Sequence, residues 1–179
     1  MAASAAALDR ARSITALVLD VDGVLTDGRI HYAPSHPDEE AKSFNCRDGL
    51  GLRLAGEAGW HLALLTGRKS SVVARRAREL GIPDVMQGAY PKLPVFEDWC
   101  RRRNISPEKV AYMGDDLVDI PIMRRVGLAA AVADAHPEAL QAAAWVSTQA
   151  GGCGAVRELI EFMLKAQNRW DEVAGPLLA

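Results

Sequence analysis

The chain has 179 residues, 49% hydrophobic and 25% charged, with a formal net charge of −2 from 21 Lys+Arg and 23 Asp+Glu. That length and composition suit one globular domain with a substantial core, and the balanced charge leaves no broad basic face for nucleic acid or an anionic membrane. No stretch reaches the ~20 apolar residues of a membrane span.

Residues 1–12 are alanine-rich and lack a basic segment before their apolar part, so a secretory leader is not expected. A flexible N-terminal arm or a frayed helix is expected instead, followed by a single domain over 13–168 and a tail over 169–179. Apolar runs predict strands at 16–19, 61–65, 110–113 and 128–132, with weaker ones at 84–86 and 145–146. Amphipathic spacing predicts helices over 70–80, 92–103 and 155–167. Alternation of this kind implies an α/β fold, a doubly wound parallel sheet with helices on both faces. One region interrupts the pattern. Residues 28–44 hold two short extended pieces around a turn with Pro34 and Pro37, which reads as a projecting β-hairpin. The remaining gaps have no room for a cap domain. Cys46, Cys100 and Cys153 are widely spaced with no Cys-x-x-Cys. This disfavours disulfides or zinc and fits a reducing, cytoplasmic setting.

In doubly wound sheets ligands bind beyond the carboxyl ends of the strands. The first predicted strand runs into Asp20-Val21-Asp22-Gly23, the second into Thr66-Gly67-Arg68, and the fourth into Gly114-Asp115-Asp116 with Asp119 beyond; Lys92 opens the helix after the third. Each residue alone has an ordinary structural explanation as a turn former, helix cap or solvated side chain. Together they match the needs of phosphomonoester hydrolysis. A dianionic ester repels a carboxylate nucleophile, and a hard cation such as Mg²⁺, held by Asp20 and Asp115, bridges the two. Lys92 neutralises further charge, and Thr66 with nearby amides at a helix N-terminus holds phosphoryl oxygens. Asp20 attacks phosphorus, and Asp22 supplies the leaving group's proton and later activates water.

The motifs Asp20-Val21-Asp22-Gly23-Val24, Thr66-Gly67-Arg68, Lys92 and Gly114-Asp115-Asp116-x-x-Asp119 resemble those of the haloacid dehalogenase superfamily, over residues 14–167. A narrower resemblance is carried by 20–28, Phe44-Asn45-Cys46-Arg47-Asp48-Gly49, Thr66-Gly67-Arg68-Lys69, 114–123, Val132-Ala133-Asp134-Ala135-His136-Pro137 and 151–158. It is to the 3-deoxy-D-manno-octulosonate 8-phosphate phosphatase family. The resemblance implies a capless, Mg²⁺-dependent homotetramer acting on a phosphorylated sugar acid, in which the hairpin and neighbouring subunits complete the site. Residue by residue it implies Asp20 as nucleophile and Asp22 as acid/base. Asp20, Asp115 and the Asp22 carbonyl become metal ligands, Thr66, Gly67 and Lys92 phosphate grips, and Asp116 and Asp119 supports that orient the ligands and Lys92. Arg68 is either a contact for the substrate carboxylate or a salt bridge at the helix start, and Arg47 and Asp48 are candidate lining residues.

Cys153 stands in a glycine-rich turn where the family often carries Arg, and Lys92 lies in the proline-rich run Tyr90-Pro91-Lys92-Leu93-Pro94. Both features bear on substrate choice. The rival readings are a phosphatase for a nonulosonate 9-phosphate, a mutase-like phosphoryl transferase, and a non-catalytic oligomerisation module. The short inserts disfavour the transferase, and the intact set of acidic residues disfavours the module. The four histidines have no ligand spacing, and Gly151-Gly152-Cys153-Gly154 lacks the Lys-Ser/Thr of a P-loop, so it reads as a turn.

Overall fold

The computed structural model describes residues 4–33 and 36–178, without the side chains of 33 and 36–39. Six parallel strands form the central sheet: β1 (Ala16–Leu19), β4 (His61–Leu65), β5 (Asp84–Met86), β6 (Val110–Gly114), β7 (Leu128–Ala131) and β8 (Trp145–Val146). Their order is β5-β4-β1-β6-β7-β8. β1 pairs with β4 on one side and β6 on the other, and all four of its residues are buried. The chain first builds the sheet outward through β4 to β5, then reverses through β6 to β8. With right-handed crossovers, that reversal sends successive helices to opposite faces. It also opens a crevice beyond the carboxyl ends of β1, β4 and β6.

The strands coincide with the apolar runs because a sheet covered on both faces needs continuous burial rather than alternation. Helix α3 (Ser71–Leu80) buries Val73, Ala77 and Leu80; the Ser70 hydroxyl caps its start, and Gly81, at φ +69°, closes its end. Helix α4 (Lys92–Arg103) places Phe96 and Trp99 in the core beside Tyr112 of β6. Helix α7 (Ala155–Ala166) buries Val156, Leu159, Ile160, Met163 and Leu164. Two short helices not anticipated from the pattern, α5 (Ile120–Met123) and α6 (Pro137–Ala142), begin near prolines and contact each other.

Helix α2 (Cys46–Glu57) was likewise not legible as a helix. It contains Gly49, Gly51 and Gly56, which weaken helix propensity. Tertiary packing explains two of them: a Cβ on Gly51 would lie 3.1 Å from Arg157 Cδ, and one on Gly49 would lie 2.4 Å from an Arg76 nitrogen.

Both ends of the chain are helical: at the N-terminus the helix, rather than the flexible arm, of the two expected alternatives is found, and the tail is packed. Residues 5–11 form α1 (Ala5–Ala11), capped by Ser4, and Ala7 and Ala11 are buried as the helix packs against α7. Alanine permits that close approach. Beyond 168, α8 (Trp170–Ala174) buries Val173 and Ala174, and Arg157 and Lys165 lie over the Trp170 ring at 5.7 and 5.0 Å.

The projecting hairpin is present as β2 (His31–Ala33) and β3 (His36–Ala41), paired antiparallel. Pro34 lies outside the described residues. Pro37, expected in the turn, belongs to β3.

Candidate active site

The loop after β1 is held tightly. Thr26 is buried, and its hydroxyl donates to the Val21 carbonyl (3.3 Å) and accepts from the amides of Gly23 (3.4 Å) and Gly28 (3.2 Å). Gly23 has φ +92°, a left-handed conformation that disfavours any side chain, and a Cβ there would sit 2.1 Å from Asp115 Oδ2. Glycine at 23 therefore lets the first acidic loop approach the second.

At the ends of the adjacent strands β1 and β6, Asp20, Asp115 and Asp119 each offer an oxygen within 4.8 Å of the others. Lys92, at the start of α4, reaches between them: Nζ is 2.8 Å from Asp20 Oδ1 and 2.7 Å from Asp119 Oδ1. Asp119 is fully buried and fully engaged. Its Oδ1 also accepts from the Tyr112 hydroxyl (2.6 Å), and its Oδ2 accepts from the amides of Asp115 (3.0 Å) and Asp116 (3.2 Å). Asp119 thus orients Lys92 and the Asp115 loop, which leaves Asp20 and Asp115 as the carboxylates with free oxygens.

Three carboxylates and one ammonium leave an excess of negative charge in a poorly solvated place. Burial, reinforced by Asp119, pushes Asp20 well above the ordinary carboxylate range, with Lys92 opposing. Burial and then Asp119 raise Asp115 to about 6. For Lys92, burial works against the ammonium, but Asp20 and Asp119 outweigh it and raise its pKa. Asp115 Oδ1 is buried without a hydrogen-bond partner among the described residues. An orphaned carboxylate oxygen beside a second carboxylate, with oxygen donors only, fits a hard divalent cation such as Mg²⁺.

The other expected residues divide. Thr66, at the end of β4, is buried, and its Oγ1 accepts from the Arg68 amide (3.3 Å). It does not stand at a helix N-terminus, because α3 begins only at Ser71. Asp116 is exposed and caps a 3₁₀ turn at Leu117 (2.7 Å); Asp119 alone of the two meets Lys92. Arg68 pairs with Glu40 of the hairpin at 3.2 Å and is 42% exposed, so its guanidinium remains accessible from solvent. Arg47 is exposed in the first turn of α2, with no ion pair among the described residues. Asp48 is buried and accepts from the amides of Gly154 (3.3 Å) and Arg157 (2.8 Å), which makes it a clasp on the start of α7 rather than a lining residue.

All four amides of the 151–154 turn are occupied within the protein, by Asp134, Val24, Ala150 and Asp48. The turn therefore presses on the loop after β1 and offers no phosphate cradle, as its composition suggested.

Two participants were missed. Glu40, on β3, and Lys42, directly after that strand, enter the site from the hairpin: Lys42 bonds Asp22, and Glu40 lies 3.7 Å from Lys42 Nζ and pairs with Arg68. Tyr32, Glu40 and Arg68, with residues 69–72, line a cavity of about 290 Å³ beside this chain of charges. No local motif announces Lys42, since a lysine at the end of a polar hairpin reads as solvated.

Residues 79–160 match the haloacid dehalogenase-like hydrolase family. The chain is 47% identical over 172 residues to 3-deoxy-D-manno-octulosonate 8-phosphate phosphatase KdsC of Escherichia coli, covering 96% of this chain and 90% of that protein. Among solved structures, that of the phosphatase of the same name from Moraxella catarrhalis, in complex with magnesium ion, phosphate ion and KDO, superposes with a TM-score of 0.92 at 37% identity. The match covers 96% of this chain and 97% of that one. The Yersinia pestis phosphatase structure gives a TM-score of 0.89 at 42% identity, covering 92% and 88%. Identity of this extent, on a six-stranded parallel sheet with an intact acidic cluster and no cap domain among the described residues, places the chain in the 3-deoxy-D-manno-octulosonate 8-phosphate phosphatase family of haloacid dehalogenase-like hydrolases.

Proposed function

We propose that the chain is a Mg²⁺-dependent phosphatase that releases phosphate from 3-deoxy-D-manno-octulosonate 8-phosphate. The observation that carries the chemistry is the cluster of Asp20, Asp115 and Asp119 around Lys92, with Asp115 Oδ1 left unpartnered. Its relatives' substrate supplies the sugar acid.

Asp20, Asp115 and the backbone carbonyl of Asp22 would hold Mg²⁺, which when bound offsets the charge of the carboxylates and the phosphoryl oxygens. Thr66 and the Gly67 amide grip the phosphoryl group, and Lys92 balances its charge. An Asp20 oxygen attacks phosphorus, and the ester P–O bond breaks. Its electron pair stays on the sugar oxygen, which takes a proton from Asp22. Water then attacks the aspartyl-phosphate, giving a proton back to Asp22, and phosphate departs with Asp20 restored. Arg68 meets the substrate carboxylate, where a guanidinium fork suits the geometry; Arg47, exposed at the start of α2, supplies a second cation for the acid end.

The working form is a homotetramer, in which neighbouring subunits cover an otherwise open site. Support comes from the exposed Ile30, Tyr32 (62%) and Tyr90 (79%) around the hairpin and the crevice. The free state of Cys46, Cys100 and Cys153 supports a cytoplasmic setting. No described helix is long and apolar enough to cross a membrane.

A panel of octulosonate 8-phosphate, a nonulosonate 9-phosphate and neutral sugar phosphates, with and without Mg²⁺, tests the reading on wild type and Asp20→Asn. Octulosonate 8-phosphate is preferred, and activity falls to background without Mg²⁺ or in Asp20→Asn. Wild-type turnover by Asp20→Asn overturns the mechanism, and preference for another substrate overturns the sugar acid. Light scattering that finds a fully active monomer removes the shared site.

A further inference from the structure

Asp22 follows the nucleophile by two residues, in a loop whose backbone is pinned by Thr26, yet nothing in that loop holds its side chain. Among the described residues its carboxylate has one hydrogen-bond donor, Lys42 Nζ, which arrives from the hairpin 20 residues further along. The Lys42 side chain is 0% exposed. Its ammonium lies between Asp22 and Glu40, and Glu40 is anchored in turn by Arg68 at 3.2 Å. Burying an ammonium carries a desolvation penalty, which a hairpin needing only packing would avoid with an apolar residue.

We propose that Lys42 is a positioning residue for the reaction: it fixes the direction of the Asp22 carboxyl group toward the leaving oxygen, so that docking of the hairpin and placement of the acid/base are one event. The proposal rests on the reading of Asp22 as acid/base. A carboxyl group with two free torsions otherwise populates several rotamers, and a misplacement of about 1 Å can lower a rate by about 100-fold. Glu40 and Arg68 brace the lysine from the far side, which ties the brace to the cavity lined by Tyr32, Glu40 and Arg68.

The chemistry provides a readout that general damage to the site does not imitate. In the first step a sugar alkoxide needs a proton as its P–O bond breaks, whereas the nitrophenolate of p-nitrophenyl phosphate departs without one. Lys42→Met lowers kcat/KM for the sugar-acid phosphate by about 30–100-fold, through kcat more than KM. It leaves kcat/KM for p-nitrophenyl phosphate within about 3-fold. Lys42→Arg recovers much of the loss. In an Asp22→Asn background, Lys42→Met adds less than about 3-fold, because the two residues act as one unit.

Equal losses on both substrates, no loss on either, or full additivity with Asp22→Asn overturn the proposal. Circular dichroism checks the fold, and if Lys42→Met does not fold, Lys42→Gln is measured on the same substrate pair. A wild-type chain that hydrolyses some other alkyl phosphate in place of octulosonate 8-phosphate sinks the substrate reading alone. The alkyl-to-aryl ratio is then measured on that ester.

Discussion

Asp119→Asn is the most informative single change at this site. The substitution keeps the shape and replaces one acceptor oxygen by an amide donor. Oδ1 serves Lys92 and Tyr112, and Oδ2 serves the amides of Asp115 and Asp116. An asparagine satisfies one pair only. With its oxygen toward the two amides, its NH₂ faces the Lys92 ammonium, which is 3% exposed and left with Asp20 as its remaining partner. Because Asp20 still pairs with Lys92, the loss is that of a charge-assisted hydrogen bond, about 1.5–3 kcal/mol. With a urea m value of about 2 kcal/mol per M, the unfolding midpoint falls by about 0.75–1.5 M. The assay is urea unfolding at one fixed protein concentration, which holds any contribution from self-association constant. A midpoint within about 0.3 M of wild type refutes the account of Asp119 as the buried anchor of Lys92.

Gly23→Ala places a Cβ 2.1 Å from Asp115 Oδ2 at a φ of +92°, so Asp115 must move. The expected result is a stability loss of about 1–3 kcal/mol with weakened Mg²⁺ binding by calorimetric titration; unchanged Mg²⁺ affinity contradicts it. In the metal-free protein, burial and Asp119 raise the Asp115 pKa from the ordinary 3.8 to about 6, so the folded chain retains a proton there that the unfolded chain releases. That stabilisation is complete below about pH 4 and is lost as pH rises through about 6, at most about 3 kcal/mol before allowance for the partial exposure of Asp115. Mg²⁺ therefore raises Tm more at pH 7 than at pH 5, and equal shifts at the two pH values refute this. Asp48→Ala removes the clasp on Gly154 and Arg157 and lowers stability by about 1–2 kcal/mol, while KM stays within about 2-fold of wild type; a large rise in KM returns Asp48 to the substrate site.

Much of the molecule was legible as one-dimensional pattern. Buried parallel strands must be continuous apolar runs, so β1, β4, β6 and β7 stood out, while the partly exposed edge strands β5 and β8 gave weaker signals. The chemistry-bearing residues follow those strands directly, and strand order alone brings Asp20, Thr66, Lys92 and Asp115 toward one edge. Helix α2 did not stand out, because its glycines serve contacts with Arg76 and Arg157 that are distant in sequence.

The same distinction divides the site. Residue type and spacing determined that two acidic pairs, a threonine and a lysine follow the strand ends. Only tertiary structure decided their partners: Asp119 rather than Asp116 for Lys92, α7 rather than substrate for Asp48, and Lys42 of the hairpin for Asp22. The physical reason is that a strand end fixes where a backbone turns, whereas a side chain's partner is whichever group from remote sequence shares its buried volume.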